Sequence, residues 1–144
     1  MPNHCVNTLH LPETAVSEIT EKYVRPDKDN GRVLDFEKII PIGEVPDRRE
    51  QRWEKWGTKW TGYDLSIGDT YISFLTAWSP PIPILGKLAE LHPELTFHLD
   101  YHEPGMGFRG EATARWNDGE VSLNDQCWDM TKEDLEELGL LHDE

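Results

Sequence analysis

The sequence predicts an α+β fold built on a mainly antiparallel sheet, and three observations carry that expectation. Leu95, Phe97, Leu99 and Tyr101 alternate with Thr96, His98, Asp100 and His102, the period-two pattern of a strand with one buried face. Two β-rich runs, Tyr63 to Ile67 and Tyr71 to Trp78, flank Gly68-Asp69-Thr70, a spacing that suits a tight hairpin. Segments of helical spacing fall between the strands instead of forming one block.

Each element has its own local reason. Residues Cys5 to Leu11 are short, partly alternating and β-branched, and read as the first strand. Pro12-Glu13-Thr14 opens a helix with an acid in its first turn and the stripe Ala15, Val16, Ile19 and Tyr23. Pro26 and the polar run 27–31 close it. Leu34 to Ile40 reads as extended. Residues 46–60 look helical but heavily charged, so they should half-bury through Trp53, Trp56 and Trp60. The hairpin follows. Ser79-Pro80-Pro81 then starts a helix, because a first turn has N–H groups without helical partners. Its stripe is Ile84, Leu85, Leu88 and Leu91, and His92-Pro93 ends it before the alternating strand. Pro104-Gly105-Met106-Gly107 breaks that strand. Phe108 to Trp116 and Val121 to Leu123 read as a second hairpin closed through Asn117-Asp118-Gly119. Residues 131–141 form a last helix, with Thr131 as N-cap, Asp134 three residues later, and Leu135, Leu138 and Leu141 for burial. The core order βαββαβ is the split-βαβ, ferredoxin-like arrangement. The expected organisation is one α+β domain over 1–144, with 41–60 as an insertion and 104–144 as a C-terminal extension.

Composition narrows the function. The 144 residues carry 14 Lys+Arg against 28 Asp+Glu, a net charge of −14. Six tryptophans and a 37% hydrophobic content separate it from a disordered acidic tail. Such a charge argues against gripping nucleic-acid phosphates or anionic lipid and leaves basic partners open. It is also uneven: residues 21–56 balance, whereas residues 57–144 hold seventeen acids against five bases. Two cysteines without CxxC spacing, no apolar run of membrane length and no leader-like start make a soluble, cytoplasmic protein the expectation.

Several stretches point to a family. The opening Pro2-Asn3-His4-Cys5-Val6-Asn7-Thr8-Leu9, the run Leu34 to Pro41, Trp56-Gly57-Thr58-Lys59-Trp60, Thr76 to Pro81 and Glu103 to Phe108 occur in one order. In these the chain resembles the Api92-like, YubB-type family of phage and plasmid proteins, over most of its length to about Trp116. The resemblance implies a ferredoxin-like domain and a mobile-element origin. It implies no activity, so no catalytic residue is carried over.

Four sets of side chains merit attention. His98, Asp100 and His102 share one strand face and could ligate a divalent metal, with His10 approaching from the neighbouring first strand. The same spacing is what a solvated sheet face produces. Trp56, Trp60 and Trp78 could line a ligand site or simply staple the 41–60 segment to the sheet. The loop Glu103 to Arg109 is glycine-rich but lacks a phosphate-binding pattern and reads as a turn. Cys5 and Cys127 read as buried thiols. Asp125, Asp129, Glu133, Asp134, Glu136 and Glu137 concentrate charge near the C-terminus, either for solubility or to present negative charge to a partner.

The expected function is a non-enzymatic interaction protein of a phage or other mobile element. Its partner would be a basic or nucleic-acid-binding host protein, such as a defence complex, met with DNA-like charge in the manner of an anti-CRISPR protein. Neither a cofactor, direct nucleic-acid contact nor a membrane is expected. The alternative is a small-ligand- or metal-binding domain or enzyme using the tryptophans or the His98/Asp100/His102 face.

Overall fold

The computed structural model describes residues 3–29 and 31–139. Its elements run β1 (His4–His10), α1 (Glu13–Tyr23), β2 (Val24–Asp27), β3 (Gly31–Leu34), α2 (Arg48–Trp56), β4 (Tyr63–Ile67), β5 (Tyr71–Ala77), α3 (Ile82–Leu91), β6 (Thr96–Glu103), β7 (Phe108–Asn117), β8 (Glu120–Asp129) and α4 (Lys132–Glu137). β2 and β3 form a small ribbon, and the other strands make one sheet in the order β4-β5-β1-β6-β7-β8. Every neighbouring pair is antiparallel. β1, α1, β4, β5, α3 and β6 are the ferredoxin-like βαββαβ unit, and β7 and β8 continue its sheet beyond β6.

Alternation decides which side of the sheet is dry. Cys5, Asn7 and Leu9 of β1, Ile72 and Phe74 of β5, and Phe97, Leu99 and Tyr101 of β6 all point inward and are buried. Above them lie the α1 stripe Ala15, Val16, Ile19 and Tyr23 and the α3 stripe Ile84, Leu85, Leu88 and Ala89, in one apolar cluster. β7 contributes Ala112 and Ala114, small residues over which α3 can lie close. Each large side chain so buried contributes about 1.5–3 kcal/mol. Asn7, the polar member of this layer, is satisfied by donating to Thr76 Oγ1 at 2.9 Å and to the Cys5 carbonyl at 3.2 Å. Tyr23 and buried His92 are bonded at 2.8 Å, which ties the end of α1 to the end of α3.

The structure departs from the sequence expectations in several places, including a β2–β3 ribbon where only a helix end and polar run were expected, and Trp53, which is exposed instead of anchoring α2. Leu34 to Ile40 is not extended: after β3, Asp35 accepts a hydrogen bond from the Glu37 N–H and starts a 3₁₀ turn over Phe36–Lys38. Leu91 lies at the rim, 44% exposed, and Ala89 takes the buried position, because the stripe follows the i, i+1, i+4, i+5 face. β8 extends to Asp129 instead of stopping at Leu123, since β7 supplies its ladder whatever its side chains are. Cys127 is exposed for the same reason, whereas Cys5 is fully buried, which pushes its thiol up to about 12. Elsewhere the second hairpin turns at Asp118 and Gly119, both with positive φ, as a two-residue turn requires. In α4 the Thr131/Asp134 capping box is formed, and Leu135 and Leu138 are half-buried. Leu141 lies outside the described residues.

Candidate functional site

The face of the sheet opposite α1 and α3 carries the polar positions of the same strands. Cross-strand register arranges them in rows: His10 opposite His98 opposite Thr113, Thr8 opposite Asp100 opposite Glu111, and Val6 opposite His102 opposite Arg109. In the first two rows the side chains converge. Asp100 Oδ2 lies 2.8 Å from His10 Nε2, and Asp100 Oδ1 lies 3.4 Å from His98 Nε2. His98 Nδ1 is bonded to Thr113 Oγ1 at 2.9 Å, which sets the plane of the ring. Donor atoms of His98, Asp100 and Glu111 all lie within 4.8 Å of one another. Of the expected trio, the fold thus brings His98 and Asp100 together with His10 and adds Glu111. It leaves His102 one row away, where burial and then the Arg109 charge lower its pKa. Glu111 could not be found by spacing along one strand, because only the β6–β7 register delivers it.

Beside this cluster, a groove of about 440 Å³ runs between the sheet and the C-terminal helix, lined by Thr8, His10, Asp100, His102, Arg109 and Leu138 among others. Arg109 closes it. Its guanidinium binds Asp134 at 3.0 Å and Glu137 at 3.2 Å and lies 5.8 Å from the centre of the Trp128 ring. Burial opposes the Arg109 charge, but the two carboxylates more than offset it, and its pKa is raised. Asp134 is held below the usual carboxylate range, first by the Thr131 backbone N–H and then by the Thr131 hydroxyl and Arg109.

The six acids nominated from the sequence therefore divide into two groups. Asp134 and Glu137 anchor α4 to β7, and Asp125 accepts the Tyr101 hydroxyl at 2.6 Å. That bond crosses Gly110, where an added Cβ would lie 2.4 Å from both the Tyr101 hydroxyl and the Gln126 carbonyl. Burial and then Asp125 raise the Tyr101 pKa. Asp129, Glu133 and Glu136 remain exposed. They flank β8, an edge strand paired only with β7, on which Leu123 and Trp128 are about two-fifths exposed. Trp116 and Met106 add exposed apolar surface on the adjoining segments.

Among the described residues, the three tryptophans have separate surroundings. Trp56 is buried against Phe36 and donates its indole N–H to the Ile40 carbonyl at 2.9 Å. Trp60 leans on Tyr63, and Trp78 sits at the strand-to-helix corner with φ 74°. The glycine-rich loop is a turn around buried Glu103, whose carboxylate accepts the Gly105 and Met106 N–H groups, so its donors already have an anion.

A family model for the ferredoxin-like domain in Api92-like protein matches residues 55–140. The matched stretch runs from the end of α2 through α4, and β1 and α1 lie outside it although β1 fills the centre of the sheet. No curated protein and no solved structure matches the chain. Among the described residues, no helix is long and apolar enough to cross a membrane.

Proposed function

We propose, for a chain that belongs to the Api92-like family, the role of an acidic protein-binding module that performs no chemistry of its own. The β8 edge carries this reading. It carries Leu123 on one sheet face and Trp128, against Arg109, on the other, with the exposed carboxylates of Asp129, Glu133 and Glu136 nearby in the chain. An edge strand turns half of its backbone donors and acceptors outward, a template for an added strand. Tryptophan is favoured at binding hot spots, and a rim of like charge selects a partner of opposite sign. The partner is a basic, nucleic-acid-binding protein of a bacterial host. A phage or plasmid product acting on it in the cytoplasm would occupy the surface that DNA otherwise takes, as an anti-CRISPR inhibitor does.

The acids tied to Arg109 and Tyr101 hold the fold, so the test must spare them. Reversing Asp129, Glu133 and Glu136 to lysine should abolish capture of a DNA-competed host protein while leaving the unfolding transition in place. Salt should weaken the wild-type interaction and have little left to act on in the variant. Capture that persists in the reversed variant at low and moderate salt sinks the charge mechanism.

A further inference from the structure

We propose that His10, His98, Asp100 and Glu111 on the sheet face opposite α1 and α3 bind a divalent transition-metal ion, with zinc(II) as the best fit. The inference goes beyond the protein-binding reading and shares no residue with it. Three neighbouring strands, β1, β6 and β7, each place at least one of the four ligands by register. Two imidazoles and two carboxylates form a set that suits zinc, which takes four nitrogen and oxygen ligands in a tetrahedron. Tetrahedral zinc with bonds of about 2.0–2.2 Å separates its ligands by roughly 3.4 Å. Donor atoms of His98, Asp100 and Glu111 lie within 4.8 Å of one another, and His10 joins them through Asp100, whose Oδ2 is 2.8 Å from its Nε2.

Two further features point the same way. Thr113 Oγ1 holds His98 Nδ1 at 2.9 Å and can accept its proton, the tautomer that frees Nε2 to ligate an ion beside Asp100. That is the outer-sphere support that metal-ligating histidines use. Asp100 and Glu111 also face each other directly across β6 and β7. Like charges so placed destabilise a sheet, and a dication between them reverses the sign of that term. The other candidate group among the described residues, Glu18, His92 and Glu94, offers less. Its one imidazole is buried with Nε2 bonded to the Tyr23 hydroxyl, so Nδ1 alone faces the acids.

The test is calorimetric titration of zinc(II) into chelator-treated full-length chain. One ion should bind per chain, with at least tenfold weaker binding in H98A and in D100A. T113V, which frees the ring without removing a ligand, should weaken binding by a smaller factor. H102A, one row away, and E18Q, in the other cluster, should bind as wild type. Cobalt(II) added to the unaltered chain provides a readout that needs no variant: paramagnetic broadening should reach the His10 and His98 ring signals before that of His4. No saturable zinc binding overturns the proposal. So does binding that survives both H98A and D100A, or broadening that spares His10 and His98.

Discussion

β6 and β8 are both antiparallel strands of one sheet, of eight and ten residues, yet they differ in almost every other respect. On β6 the inward residues from Phe97 to Glu103 are buried in strict alternation, and the outward ones form the histidine and carboxylate rows. On β8 Val121 alone is partly covered and everything else is exposed. β6 has β1 and β7 on its flanks and helix-borne apolar groups above, whereas β8 has one strand neighbour among the described residues and, although α3 reaches it, keeps nearly all of its side chains exposed. The same backbone geometry thus serves as core in one place and as available surface in the other. Neighbours decide which.

Substitutions can break or sharpen that contrast, and the largest effect belongs to β6. Phe97→Ala should cost about 3–5 kcal/mol of unfolding free energy, read from denaturant curves, because the ring is fully buried between sheet and helices. Gly110→Ala, at the β7 crossing between the two strands, should cost about 1–3 kcal/mol, because the new methyl collides with a backbone carbonyl as well as with the Tyr101 ring. Tyr101→Phe removes the hydroxyl that joins β6 to Asp125 of β8 and should cost about 1.5–3 kcal/mol at most, the range for a bond to a charged acceptor. In the wild type, ultraviolet titration should find the Tyr101 phenol still protonated well above pH 10, the ordinary tyrosine range.

Thr131→Ala should remove about 1 kcal/mol of capping, seen as faster amide exchange in α4 with little change in the global transition. Acid should act on the same helix. The Asp134 pKa is lower in the folded chain, so its contribution is present above the unfolded value of about 3.9 and is lost as pH falls through the folded value. α4 exchange should therefore accelerate in acid before β6 exchange does. The smallest effect on stability belongs to Leu123→Ala, expected within about 0.5 kcal/mol because its site is exposed. A loss comparable to that of Phe97→Ala would mean that β8 is part of the core after all.

Much of this fold was legible in the sequence. The alternation at 95–102, the prolines before α3, the Asp118-Gly119 turn and the Thr131/Asp134 box each act through a few adjacent residues, and each formed as expected. The Leu34 to Ile40 segment was misread because Asp35 captures a nearby N–H, a choice between two local hydrogen-bonding schemes that periodicity does not express. Burial of Leu91 and Cys127 was misjudged because hydrophobic character says what a residue gains from a neighbour, not whether one arrives.

The candidate sites divide in the same way. Sequence alone determined that His98 and Asp100 share a face and that negative charge gathers toward the C-terminus, since both depend on strand period and composition. Only the tertiary structure set His102 apart and brought in Glu111 beside the His10 that strand order had already suggested, and assigned Asp125, Asp134 and Glu137 to holding the molecule together while Asp129, Glu133 and Glu136 stayed outside. The physical reason is range. Backbone sterics and side-chain periodicity act between near neighbours in the chain, but the position of a charge is set by which distant strand pairs beside it, and that pairing is chosen by burial of the whole sheet at once.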